Sequence, residues 1–186
     1  MRLSEPLIRL FDIPVDDLAQ ALPDATDPVW DIDKFRQTKH EVHRHTRSIV
    51  FESLRNGWVP GQPRIVEQQN YAPQALATIA YAYADKIAAH YSGKIVRLVL
   101  AELAPRGTIV VHRDHGAGLT LVHRCHLPVI TNPDVQFFID MTPHHLQAGV
   151  AYEFDNTRRH SVENNSDERR IHLLCDVMPA ALANAT

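Results

Sequence analysis

His112, Asp114 and His160 are the residues of this chain with the most chemistry to offer. Two imidazoles and one carboxylate on one face of an octahedron leave three coordination positions open, the arrangement of non-haem Fe(II) sites that work with O2. A bidentate 2-oxo acid fills two of those positions and O2 the third, whereas a full shell of protein ligands blocks both. His112 and Asp114 are two residues apart in TIVVHRD, so at a strand end they share one side and Arg113 takes the other. His160 comes 48 residues after His112, and Arg170 ten residues after His160. Arg124 and His126 share one face of a further strand. In the last strand Arg170, His172 and Leu174 alternate with Ile171, Leu173, Cys175 and Val177. One side of that strand suits packing against helices, and the other carries a cation and an imidazole inward. A buried arginine needs an anion.

The elements that must position these groups fall into two textures. Residues 94–179 read as short strands (KIVRLVLAEL, TIVVHRD, LTLVHRCHLPVI, VQFFID, GVAYEFD, RRHSV, RIHLLCDVM) with Gly, Asn, Asp and Pro between them. Strands at this spacing with no helices between them predict a mainly β fold, a double-stranded β-helix of the jelly-roll or cupin-like kind. Residues 1–93 are mixed, with helical signals. The clearest is Pro73 to Tyr91, where Leu76, Ile79, Ala80, Tyr83, Ile87 and Tyr91 recur at helical spacing and predict an amphipathic cover for a sheet. No linker or repeat interrupts the chain. The expectation is therefore one domain over residues 1–186, an α-helical N-terminal layer on a β-helix core.

Composition narrows the function. With 45% hydrophobic residues over 186 positions, the chain can bury a core without a disulfide or structural metal. A net charge of -3 speaks against nucleic acid as a partner, because phosphate-binding faces leave a basic excess. No apolar run approaches the roughly 20 residues of a membrane span, so no membrane partner is expected. The early acidic residues do not suit a signal peptide, and Cys125 and Cys175 in apolar strands read as reduced core residues, so a cytoplasmic protein is expected. Lys34, Arg36, Lys39, Arg44 and Arg47, with His40, His43 and His45, form a basic segment. It is either a solvated face or a rim that attracts an anionic substrate. Trp30, Trp58 and Tyr71 are expected in packing rather than in a cleft.

The stretch from Arg97 to Pro179 resembles the aspartyl/asparaginyl β-hydroxylase family of Fe(II) and 2-oxoglutarate dependent oxygenases. HRDHG at 112–116, RCHLP at 124–128 and FDNTRRHSVENNSDERRIHLLCDV at 154–177 carry the likeness. The resemblance implies that His112 and His160 bind iron, with Asp114 at the third-ligand position. It implies that Arg170 pairs with the far carboxylate of 2-oxoglutarate, and that Arg124 and His126 reach its carboxylate and keto end. The hydroxyl some members place before H-x-D has no counterpart in Leu100-Ala101-Glu102. The implied reaction hydroxylates an unactivated C–H with O2, releasing succinate and CO2. Its expected target is the β-carbon of an aspartyl or asparaginyl residue in a peptide or carrier-bound substrate. Three alternatives stand beside it: a hydroxylase of a free amino acid such as proline, a cupin-like binding module without turnover, and a zinc hydrolase on the same His/Asp/His set. A zinc hydrolase has no use for Arg170. A one-residue slip of the last strand would exchange Arg170 for Arg169.

Overall fold

A computed structural model describes residues 2–39, 41–54, 58–60, 62 and 65–183. Among the described residues, eleven strands form two antiparallel sheets. They are β1 (Leu7–Asp12), β2 (Thr46–Leu54), β3 (Val66–Gln68), β4 (Lys94–Leu103), β5 (Thr108–His112), β6 (His123–Ile130), β7 (Val135–Ile139), β8 (Thr142–His144), β9 (Val150–Phe154), β10 (His160–Asn164) and β11 (Arg170–Met178). The larger sheet has seven strands in the order β1-β9-β6-β11-β4-β2-β3, and the smaller has four in the order β5-β10-β7-β8. This is the expected double-stranded β-helix. Among the described residues no helix is long and apolar enough to cross a membrane.

Alternation along the central strands decides what each face meets. On β11 Ile171, Leu173, Cys175 and Val177 join Leu98 and Leu100 of β4 in one core with Leu76, Ala80, Tyr83, Ala84 and Ile87 of a long helix. Five helices are described: α1 (Asp16–Gln20), α2 (Phe35–Lys39), α3 (Gln74–His90), α4 (Ala117–Thr120) and α5 (Ala180–Ala183). The long helix is α3, and Pro73 stands at its N-cap, where the missing N–H costs no hydrogen bond. Burying a Leu or Ile side chain of that stripe contributes roughly 1.5–3 kcal/mol. A second core, with Leu103, Phe137, Ile139, Tyr152, Phe154 and Val162 among its members, lies between the two sheets.

The N-terminal stretch supplies more than a helical layer. It also contributes β1, β2 and β3, and nine-residue β2 pairs with β4 as the second strand from one edge of the larger sheet. A bulge between Val50 and Glu52 breaks the period of two there, which hides the strand from its own pattern. Leu119 and Thr120, expected at the start of the LTLVHRCHLPVI strand, fall instead in the single turn α4, and β6 begins at His123. Gly116 precedes it at φ 90°, a conformation glycine adopts readily, and the Thr120 hydroxyl donates to the Gly116 carbonyl. The expected packing roles hold: Trp30 is fully buried, Trp58 joins Leu54, Val96, Val122 and Met178, and Tyr71 OH accepts from the Val50 N–H. Cys125 and Cys175 are buried free thiols.

Candidate metal centre and cosubstrate cavity

His112 and His160 are paired across β5 and β10, with ring centroids 4.2 Å apart. The antiparallel register alone brings together two residues distant in sequence. Asp114 lies just past the end of β5, and its backbone N–H donates to the Asn156 carbonyl. One ligand atom from each of His112, Asp114 and His160 lies within 4.8 Å of the others. Nδ1 of His112 sits 2.8 Å from the Val110 carbonyl, and Nδ1 of His160 sits 2.9 Å from the Arg158 carbonyl. A carbonyl only accepts, so the network assigns the proton to Nδ1 in both rings and leaves both Nε2 lone pairs for a metal. Burial lowers the His160 pKa to about 4 against the pull of Asp114, which keeps the ring in the neutral, ligating form.

Asp114 is the most heavily supported of the three. Burial alone would raise its pKa, but Arg124, then His160 and the Asn156 amide, outweigh burial and hold the carboxyl well below the usual carboxylate range. Asn156 Nδ2 donates to Asp114 Oδ2 at 3.0 Å and to the Leu119 carbonyl at 2.7 Å. The loop carrying Asn156 is fixed in turn by Asp155, which accepts from the Thr157 N–H and hydroxyl and from the Leu3 N–H.

A cavity of about 750 Å³ joins this cluster to the remaining candidates, and Arg124, His126 and Arg170 all line it. Arg170 is buried, and its Nη2 donates to His172 Nδ1 at 2.6 Å. Arg169 turns the other way, to Glu102 and the Pro23 carbonyl, with its guanidinium 5.8 Å from the Trp30 ring. The register of β11 therefore puts Arg170, not Arg169, in the cavity. Arg124 is bound on both sides, with Nη2 2.8 Å from Asp176 and Nη1 3.3 Å from Asp114. His126 lies 3.3 Å from His172, Nδ1 to Nδ1, and burial, then Arg170, pushes both rings well below the usual histidine range. Among the described residues, Nε2 of His126 is buried without a hydrogen-bond partner. An orphaned polar atom of this kind in a polar cavity calls for a ligand.

Sequence reasoning missed Asp176 and Asn156. Asp176 continues the inward alternation after Leu174 and stands opposite Arg124 across β11 and β6, so the signal was present. Asn156 had none, since it acts from a loop. The basic segment divides. Arg44 pairs with Glu41, Arg47 with Glu102 and Asp31, and Lys34 with Asp31, while Lys39 and His43 line the cavity. His43 meets His112 edge-on at 6.0 Å and is not a remote surface residue. His45 is half-buried and accepts from the Thr108 N–H. His40 and the Arg36 side chain lie outside the described residues.

A double-stranded β-helix with a His/Asp/His cluster at its cavity defines the class, the Fe(II) and 2-oxoglutarate dependent oxygenases, whose cofactors and cosubstrates are Fe(II), 2-oxoglutarate and O2. Residues 34–179 match the family model of aspartyl/asparaginyl β-hydroxylases, and the chain belongs to that family. Three solved structures share the fold at low identity. One is an oxidoreductase of the 2OG-Fe(II) oxygenase family from Burkholderia pseudomallei, at TM-score 0.54 and 12% identity over 92% of this chain and 79% of that one. The viral collagen prolyl hydroxylase of Paramecium Bursaria Chlorella virus-1 gives 0.53 and 9% over 95% and 97%. A Pseudomonas putida prolyl-4-hydroxylase gives 0.51 and 13% over 95% and 94%. Among curated proteins, none matches the sequence.

Proposed function

We propose that the chain hydroxylates the β-carbon of an aspartyl or asparaginyl residue in a peptide or carrier-bound substrate. His112 Nε2, His160 Nε2 and an Asp114 oxygen would hold Fe(II). Arg170 would hold the far carboxylate of 2-oxoglutarate, and His126 would meet its metal-proximal end. The observation that carries this reading is the pair of carbonyl-anchored imidazoles, with Asp114 within 4.8 Å, opening into the cavity that contains buried Arg170. The donor set fits iron of the oxygenase type: two neutral nitrogens and one ionised carboxylate, on adjoining chain ends rather than around a closed shell. Bound there, iron with 2-oxoglutarate and O2 supplies hydroxylation of a C–H bond coupled to release of succinate and CO2.

The protein's own work is positional. The Val110 and Arg158 carbonyls fix the two rings, which would otherwise swing about χ2. Arg124 and Asn156 hold the Asp114 carboxylate from two directions and keep it ionised. Arg124, expected to reach 2-oxoglutarate, therefore acts in this reading through Asp114 as well, with Asp176 as its counter-charge. His172 accepts from Arg170 and orients its guanidinium for a dicarboxylate. Phe137 and Phe154 stand edge-on to His126 and exclude water from that end. The two buried free thiols suit a reducing, cytoplasmic setting.

The test is anaerobic titration with Fe(II) and then 2-oxoglutarate, followed by O2 and a panel of peptides and free amino acids read by mass for gain of one oxygen. Succinate formed in step with an oxidised aspartyl or asparaginyl peptide is the expected result. Oxidation of free proline alone would replace the substrate assignment, and turnover without O2 would replace the oxygenase with a hydrolase.

A further inference from the structure

Among the described residues, three cations besides Arg124 and Arg170 line the cavity and are left unused by the assignments above: Lys39 and Arg113, both exposed, and the more buried Arg97. Arg97 stands on the cavity face of β4 with Val99 and Ala101, in register with Ser53 of β2 and Asp176 of β11. Its Nε is 3.6 Å from Asp176 Oδ2, a loose contact with an oxygen that already accepts from Arg124 at 2.8 Å. Among the described residues, neither Nη of Arg97 has a hydrogen-bond partner, although the side chain is only 26% exposed. Two further basic residues are occupied elsewhere: Arg158 pairs with Asp140 and Asp155, and Arg47 with Glu102 and Asp31. Beside Arg97 on the cavity wall stand Ser53, its partner across β2 and β4, and the paired Val50 and Val99.

A planar guanidinium in a mostly dry wall, with its fork open, matches a carboxylate better than any other common group. Charge points the same way. Lys39, Arg97, Arg113, Arg124, Arg170 and a divalent ion stand against Asp33, Glu102, Asp114, the adjoining Asp176 and a dicarboxylate, which leaves a single positive charge for the substrate to match. The sequence Arg97, Asp176, Arg124, Asp114 also links this fork to the metal cluster through successive ion pairs.

We infer that Arg97 is the substrate-carboxylate subsite: it takes a carboxylate of the molecule being hydroxylated in a bidentate pair and thereby selects the C–H that reacts. This rests on the hydroxylase reading and narrows it to acidic substrates, so an aspartyl target is favoured over an asparaginyl one. The same chemistry is offered by the side chain of an aspartyl residue in a peptide and by the α-carboxylate of a free amino acid.

The experiment is calorimetric titration of the Fe(II)-loaded, 2-oxoglutarate-bound protein without O2. One ligand pair is an end-blocked aspartyl peptide and its asparaginyl counterpart; the other is L-proline and L-prolinamide. Wild type should prefer the acid of one pair over its amide by about 10- to 100-fold, the range of a charge-assisted hydrogen-bonded pair. Which pair shows the preference identifies the source of the carboxylate. Arg97→Gln should abolish the preference, Arg97→Lys should restore part of it, and both should bind 2-oxoglutarate within about twofold of wild type. Arg106→Gln, which removes an exposed cation paired with Asp167, should leave the preference intact. The lysine variant keeps the charge beside Asp176 and so keeps the test open if the glutamine variant fails to fold. An acid preference that survives in Arg97→Gln, or that wild type lacks for both pairs, overturns the subsite alone. Wild type that does not bind 2-oxoglutarate overturns the hydroxylase reading and the subsite with it.

Discussion

The two faces of the larger sheet are built from the same strands and obey opposite rules. Along β11, the face toward α3 carries Ile171, Leu173, Cys175 and Val177, all fully buried among aliphatic neighbours. The face toward the cavity carries Arg170, His172, Leu174 and Asp176, equally buried but mostly polar. The outer face gains free energy from every methylene it hides. The inner face pays desolvation for its charges and recovers it only through close pairs such as Arg124 with Asp176 and Arg170 with His172. Stability is thus held on one side of a strand and chemistry on the other, one residue apart.

That division predicts a clean separation of effects. The largest is on the cavity side: His160→Ala removes a ring whose Nε2 has no other use, and should abolish Fe(II) binding measured by anaerobic titration. The loss should exceed well the roughly 100-fold that removal of a merely supporting partner produces. The ring stands on β10 of the smaller sheet, lining the same cavity, and its contacts with Phe154 at 5.0 Å and Phe137 at 6.3 Å should make its loss cost less stability than a core aliphatic. Leu173→Ala is the counterpart outward. It opens a cavity in the core against α3 and should cost about 2–5 kcal/mol in urea unfolding, while the folded fraction keeps its iron affinity. A His160→Ala variant as destabilised as Leu173→Ala would show that the cavity wall and the core against α3 share their loads.

Arg170 and Arg169 sharpen the comparison, since they differ only in which face they take. Arg170→Ala should weaken 2-oxoglutarate by about 100-fold, the loss expected when one partner of a buried charge pair is truncated. Arg169→Ala should leave cosubstrate affinity unchanged and lose its contacts with Glu102, Pro23 and the Trp30 ring, at a cost of about 1 kcal/mol because Arg47 still pairs with the buried Glu102. Reversal of the two would place β11 one residue out of register.

How much of this was visible beforehand follows the same line. Strands whose alternation is unbroken could be read directly: β4 and β11 begin and end where KIVRLVLAEL and RIHLLCDVM do. His112, Asp114 and His160 were legible from their types and spacing, and Arg124, His126 and Arg170 from strand parity together with the family resemblance, which implied their roles. β2 was not, because its bulge interrupts the parity and its charged neighbours, Arg44 and Arg47, read as a solvated face. β1 pairs only with β9 at the sheet edge, and a bulge between Arg9 and Phe11 blurs its pattern too. Asn156 was hidden for a different reason: it acts through a turn held by Asp155, and no periodicity describes a turn.

The smallest effect concerns two buried imidazoles of the inner face that are not assigned as metal ligands. His126 and His172 are both buried, and burial, reinforced by Arg170, keeps their folded pKa values well below the ordinary 6.5. Below that ordinary value the unfolded chain takes up a proton at each ring and the native state does not, so the unfolded state binds more protons. Stability from this source is therefore complete above about pH 6.5 and falls as the solution is acidified toward the folded values. Each ring contributes a slope of up to about 1.4 kcal/mol per pH unit. Urea unfolding between pH 7.5 and 5.5 should show the decline, and His172→Gln should make it shallower by one ring's share, whatever it does to stability at pH 7.5. An unchanged slope would mean that His172 is protonated in the native state, which would break its acceptance of the Arg170 hydrogen bond and remove the reason for the inner face to carry it.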